Sequence, residues 1–267
     1  MDKINFGDKN QRNLGKEREL IVVKHNDLIQ KSRHNLSVQE QKIILFLVSK
    51  IKPEDTELKE YEFKVRDFCK ICGIDDNNGK IYKDLKSAIK NLTDKSFWIK
   101  INDHEETVVR WIERPTINNK NGTIKIKIDE YMRPFLLELK NHYTQFSLYY
   151  TLAMRNKYSL RLYELLKSYS NLSRWEFNAE ELQKMLFAEA YTKFYDFKRR
   201  VLEPAVKEIN TYSDIHVTYE IIKKEPTKYE IVFRIKAKKE VDEKIQTWAN
   251  IEKRLNPKQI RDANLTK

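Results

Sequence analysis

The chain has 267 residues, 40% of them hydrophobic and 34% charged, with a formal net charge of +12. That length holds one or two domains with real cores, and the charge points to an anionic partner, nucleic acid first and anionic membrane second. No apolar run approaches the roughly eighteen residues of a membrane span. The polar opening MDKINFGDKNQRNLGKERE has no secretory core, and 2 cysteines exclude a disulfide framework and fit a reducing cytoplasm.

In chain order, residues 1–19 read as a flexible arm, and ordered patterning begins at Leu20. LSVQEQKIILFLVSKI offers Ser37 as helix N-cap and Glu40 at the capping-box position, ahead of a dense apolar run. KEYEFKVRDFCKICGI predicts a strand at Tyr61–Val65 and a short helix closed by Gly73. Cys69 and Cys72 form a C-x-x-C there. Zinc would need two more ligands at motif spacing, and a redox pair wants a different strand–helix setting. At i and i+3 on one helix face, both thiols pack inward.

DDNNGK is a loop, and KIYKDLKSAIKNLTDKS a helix with Ile81, Leu85, Ala88, Ile89 and Leu92 on one face. FWIKI, ETVVRWIE and TIKIKI alternate as strands of one small antiparallel sheet with turns NDHEE and NNKNG. Tyr131–Leu139 is a short helix running into a joint near Asn141–Ser147.

The same order then recurs. YSLRLYELLKSY is an apolar helix, SRWEF a strand, NAEELQKMLF a helix capped by Asn178, and KFYDFKRRVLEPAVKEIN a third helix. DIHVTYEII and KYEIVFRIK make a hairpin around KKEPTK, and a charged tail over 239–267 is helical across Val241–Leu255. Ile43, Leu45, Phe46 and Val48 align with Leu160, Leu162, Tyr163 and Leu165. Tyr61 and Phe63 align with Trp175 and Phe177, and Leu85, Ala88, Ile89 and Leu92 with Leu202, Ala205, Val206 and Ile209. Three matches in one order indicate a duplicated helix–strand–helix–helix–hairpin module, which is the order of a winged helix. The expected fold is α+β, two tandem winged-helix domains of similar topology, spanning 20–140 and 147–238.

In a helix-turn-helix module the reading helix lies in the DNA major groove with its N-terminal half nearest the bases. On the second module's third helix Lys193, Arg199, Arg200 and Lys207 project opposite the apolar side, while Lys198 falls on that side and must snorkel unless the helix begins differently. Basic residues at a helix start oppose the helix dipole, which a functional demand would explain. Pro204 removes one backbone hydrogen bond and should distort the helix near Arg200. The distortion either separates a reading half from an anchoring half or is a tolerated kink.

The first module's third helix carries Lys80, Lys83, Lys86 and Lys90, with Tyr82 and Ser87 nearby. Lysine suits phosphate and arginine forks onto guanine, so the second module should read bases more than the first. A lysine-rich face is also an ordinary solvated surface. The second hairpin turn holds Lys223, Lys224 and Lys228, suited to phosphate, whereas the first holds Asp103, Glu105 and Glu106, which phosphate would repel.

NLSVQEQKIILFLVSKI, YYTLAMRNK with the following YSLRLYELLKSY, and FKRRVLEPAVKEINTYSDI resemble the initiator replication proteins of iteron-containing, theta-replicating plasmids. The resemblance covers roughly Glu19 to Lys238. It implies two winged helices clasping one direct repeat of double-stranded DNA, monomers opening the origin, and dimers repressing their own promoter. The dimer contact would lie on the first sheet, and host helicase or initiator proteins would be partners. The implied DNA contacts are Lys193, Arg199, Arg200 and Lys207 in the second module and Lys80, Lys83, Lys86 and Lys90 in the first. No cofactor and no metal are expected.

A rolling-circle nickase would need His-x-His, and ATP-driven unwinding a G-x-x-x-x-G-K-[ST] loop. Neither occurs, so no enzyme is expected. A winged-helix transcriptional repressor without an initiation role is the nearer alternative.

Overall fold

The computed structural model describes residues 20–72, 80–100 and 104–256, without the side chains of Lys80, Ile81 and Lys100. The expectations for the 1–19 arm, the DDNNGK loop, Asp103 and 257–267 fall outside the described residues.

The first module runs β1 (Ile21–His25), α1 (Asn26–Gln30), α2 (Val38–Val48), β2 (Glu60–Lys64), α3 (Val65–Ile71), α4 (Lys80–Asp94), β3 (Ser96–Lys100), β4 (Glu106–Arg110), β5 (Thr116–Asn118), β6 (Thr123–Lys127) and α5 (Arg133–Leu136). The second runs β7 (Tyr143–Ser147), α6 (Tyr149–Leu152), α7 (Lys157–Ser168), β8 (Arg174–Asn178), α8 (Ala179–Met185), α9 (Phe194–Phe197), a π-helical turn (Lys198–Leu202), α10 (Glu203–Tyr212), β9 (Ile215–Lys223) and β10 (Tyr229–Ala237). Helix α11 (Val241–Leu255) follows.

Local chemistry explains the helix starts. Ser37 Oγ accepts from the Glu40 amide at 3.3 Å while the Ser37 amide donates to Glu40 Oε2 at 2.7 Å, a complete capping box. Asn178 Oδ1 accepts from the Glu180 and Glu181 amides. Helix α2 is buried along all of Glu40–Val48 and forms the centre of the first core. Cys69 and Cys72 pack into that core, as their spacing predicts.

Two three-stranded sheets repeat one topology, β2-β6-β5 and β8-β10-β9. The first departs from the single sheet expected of its three alternating runs. Among the described residues β3 and β4 pair only with each other, as a separate ribbon inserted between α4 and the hairpin β5–β6. Alternation marks a strand but not its partner. Here Pro115, which has no N–H, separates β4 from β5, and Ile124 and Ile126 carry β6 into the core opposite Phe63 and Tyr61 of β2. The first module's wing is therefore β5–β6, with the turn Asn119–Gly122, and Glu105 and Glu106 belong to the inserted ribbon.

The expected joint near Asn141–Ser147 is the strand β7. Thr144 and Phe146 point inward from it, and it pairs antiparallel with β1, centred on Val23↔Gln145. Each strand leads into a short helix and then the central helix of its own module. The ribbon thus joins equivalent parts of the repeat about a local two-fold, and buried residues of both modules form one continuous core.

Polar groups cross this joint. Lys24 Nζ lies 2.5 Å from Glu164 Oε1, both buried. Arg161 Nη2 donates to the Ile29 and Ser32 carbonyls at 2.6 and 2.8 Å. Gln41 Nε2 donates to Lys157 O at 3.1 Å, and Lys42 Nζ to Leu152 O at 2.5 Å. His34 sits edge-on to Trp111 and Phe97. Burial, with Arg161, Lys24 and Lys95 near it, holds its pKa well below the usual 6.5.

A histidine kept neutral in the fold titrates normally once unfolded, so the unfolded chain binds more protons below that value. Stability present at neutral pH is therefore lost as pH falls through about 6.5. Thermal melts between about pH 8 and about pH 5 should show a shallower acid-side loss for His34→Phe than for wild type. Equal slopes would contradict a buried neutral imidazole.

Helix α11 braces the second module. Thr247, Ile251 and Leu255 face inward, and Lys238 Nζ joins Thr247 Oγ1 at 3.0 Å to the Asn210 carbonyl at 2.6 Å. Tyr149 Oη donates to Glu252 Oε1 at 2.8 Å. Glu208 of α10 accepts the Arg155 and Asn156 amides, at the start of α7, and lies 4.0 Å from Arg254 of α11.

Candidate nucleic-acid interface

The third helix of the second module is anchored as its periodicity predicts. Phe197, Val201, Leu202, Ala205, Val206 and Ile209 are buried, and Phe194 stacks on Tyr229 of β10 at 4.0 Å and 8°. That stack ties the start of the helix to the tip end of the second wing, where Tyr229 pairs with Lys223. Helix and wing are thereby held as one surface.

Pro204 has no N–H for the Arg200 carbonyl four residues back. The helix widens over Lys198–Leu202 instead, and the Glu203 amide donates to the Lys198 carbonyl, five residues back. The expected distortion at Arg200 is thus a π turn. Its extra residue also accounts for Lys198, which a regular helix would place on the apolar side. Lys198 turns outward and lies 3.6 Å from Glu203.

Lys193 caps α9 and is exposed, as is Lys207 on α10. Arg199 and Arg200 leave the π turn with side chains 53% and 58% exposed, both near Asp196. Lys223, Lys224 and Lys228 lie together at the tip of β9–β10. Lys224 pairs with Glu230 and Lys228 with Glu225, each at 2.9 Å. Exposed pairs of this kind contribute roughly 0–1 kcal/mol, so phosphate can displace them.

On α4, Leu85, Ala88, Ile89 and Leu92 face the core, and Lys83, Lys86 and Lys90 are exposed. Lys90 pairs with Asp94 at 2.5 Å. Lys80 opens the helix, and its side chain lies outside the described residues. Here too the helix is tied to its wing, since Tyr82 Oη donates to Asn119 Oδ1 at 3.0 Å.

The wing turn is built by Asn118, whose Oδ1 accepts the Lys120 and Asn121 amides, and by Gly122 at φ +67°. Lys120 is exposed at its tip. This basic wing residue was missed because the acidic turn was assigned to the wing. The Asx-turn signature of NNKNG, followed by alternating TIKIKI, was the available signal. Tyr195, 68% exposed on α9, was missed as well, and its aromatic character amid basic residues was the clue.

Each module thus presents an exposed basic face on a helix fixed to a wing, which is the arrangement of a tandem winged-helix nucleic-acid-binding protein. Among the described residues no group of three His, Cys, Asp or Glu could hold a metal ion, and no helix is long and apolar enough to cross a membrane.

The family model described as Initiator Replication protein, WH1 matches residues 21–167, and the one described as Initiator Rep protein, WH2 matches 178–235. The chain belongs to this family of initiator replication proteins. A replication initiation protein of Escherichia coli is 27% identical over 212 residues, covering 74% of this chain and 64% of that protein. An uncharacterized 27.6 kDa protein of Escherichia coli is 22% identical over 216 residues, covering 75% of this chain and 90% of that one. A solved WH1 domain of MSBI1.176, a replication protein isolated from a multiple sclerosis patient, is similar over 38% of this chain and 79% of that chain, at 18% identity and TM-score 0.31.

Proposed function

We propose that the chain initiates plasmid replication by binding origin direct repeats as double-stranded DNA. The observation that carries this reading is the pair of exposed basic helices, α4 and α9–α10, at equivalent positions of two modules sharing one core. In this reading α9–α10 enters a major groove through Lys193, Arg199, Arg200 and Lys207. Helix α4 holds phosphates through Lys80, Lys83, Lys86 and Lys90. The wing tips add Lys120, Lys223, Lys224 and Lys228.

The two DNA-binding domains span 20–140 and 147–238 in this proposal, and the protein acts in the cytoplasm by binding, without chemistry of its own. Origin opening draws on the binding free energy of several protomers deforming AT-rich DNA. Host helicase or initiator proteins complete the process.

The same chain represses its promoter as a dimer in this proposal. The inserted ribbon supports a self-contact. Phe97, Ile99 and Val109 face the core, while cross-strand neighbours Trp98 and Val108 face outward, 62% and 46% exposed. An aromatic with a β-branched neighbour on a face rimmed by Arg110 and Glu106 suits a two-fold copy of itself. Sedimentation of Trp98→Asp should show the dimer dissociation constant raised by at least about tenfold. An unchanged constant would place the dimer elsewhere.

The functional test is replication, with the protein supplied in trans, of a plasmid bearing only the origin repeats. Replication is expected. Failure with operator binding intact would leave a repressor.

A further inference from the structure

Asp196 stands in the middle of the surface that is proposed to meet DNA. Its Oδ1 lies 3.7 Å from Arg200 Nε and 3.8 Å from Arg199 Nη2. These distances are beyond hydrogen bonding, so the carboxylate holds both guanidiniums by charge while leaving their donors open. Tyr195 completes the cluster, with the Arg199 guanidinium carbon 5.8 Å from its ring centroid. The residues are local to one turn, i+3 and i+4 from the acid and i+4 from the ring, so the geometry follows from the helix itself.

An acid there has a physical cost for binding. It repels phosphate, and dipole stabilisation at a helix start is available from an acid on any face of the first turn. We propose that Asp196 is a positioning residue for sequence reading, which restrains Arg199 and Arg200 from phosphate in favour of base edges, with Tyr195 as the wall limiting Arg199. The proposal rests on α9–α10 being the reading helix. An arginine moving to phosphate abandons the carboxylate and the ring. An arginine forking onto guanine O6 and N7 extends forward from where they already hold it. Non-cognate binding, which is mostly phosphate contact, is thereby penalised more than cognate binding.

The experiment measures the affinity of the full chain for a duplex carrying one origin repeat and for a scrambled duplex of equal length. Wild type, Asp196→Asn and Glu203→Gln are compared at several salt concentrations. Glu203 is the control, an exposed acid on the same helix that lies near Lys198 rather than the arginines. Asp196→Asn should tighten scrambled binding and leave repeat binding unchanged or weaker, lowering the affinity ratio about two- to fivefold, the reach of an exposed ion pair. Glu203→Gln should move both affinities in proportion.

A proportional rise for Asp196→Asn would make the acid a mere repelling charge and overturn the proposal. So would a ratio unchanged from wild type. A proportional fall of both affinities, with a lowered melting temperature, would assign the acid to stability and overturn it too. A wild-type chain that does not distinguish repeat from scramble would overturn the reading of the helix together with this inference, so the two failures are separable.

Discussion

Glu164→Ala is expected to destabilise the protein by about 3–5 kcal/mol, because it leaves buried positive charge uncompensated. Glu164 contacts Lys24 at 2.5 Å across the joint, and it is the charge that favours protonation of buried Arg161. Removing it leaves Lys24 inside the core with its charge exposed to no water. Urea denaturation checks the loss. The Lys24→Met, Glu164→Leu double variant should recover part of it, since an apolar pair of similar volume needs no partner. A loss under about 1 kcal/mol would show that the joint is hydrated and behaves as a surface pair. Because the pair bridges β1 and α7, the loss should also weaken any binding that needs both modules held in one arrangement.

Arg200→Ala is expected to cost about 1–3 kcal/mol in binding to the origin repeat and to relax preference at one base position. Its signature separates it from Lys83→Ala. The lysine change should weaken all sequences alike and lower the log–log salt slope by about 0.9. Competition against a library of single-base variants of the repeat distinguishes the two. Equal, sequence-independent losses would mean that both modules hold phosphate only and that bases are read by another element. The difference follows from side-chain chemistry, since guanidinium is a planar fork and ammonium a point charge. It also follows from place, because Arg200 leaves the π turn near the start of its helix, the end proposed to face the groove.

The duplicated module was legible because its signals are local. Apolar spacing on α2, α4, α7 and α10 needs only neighbouring residues, and so do the caps at Ser37 and Asn178. Val241–Leu255 was legible for the same reason. Pairing between distant strands was not. Nothing within YTQFS shows that its partner is IVVKH at the start of the described chain, so a strand was taken for a joint. The separation of β3–β4 from β5–β6 was hidden likewise, since the three expected runs all alternate and the three-residue β5 lies in none of them.

At the interface, Lys193, Arg199 and Arg200 could be placed outward by projection, but the π turn that turns Lys198 outward could not. Pro204 signalled a distortion at the right position without specifying its form. The contacts that fix helix to wing, Phe194 with Tyr229 and Tyr82 with Asn119, join segments far apart in sequence and became visible only once folded.

Hydroxyl-radical footprinting of the full chain on the DNA flanking its gene tests the central claim most directly. Two protected faces about one helical turn apart are predicted for each protomer, recurring at regular spacing. Substituting Arg199 and Arg200 should erase one face of each pair, and substituting Lys83 and Lys86 should weaken the other. One protected face per repeat, indifferent to both sets of substitutions, would contradict a duplex gripped by both modules.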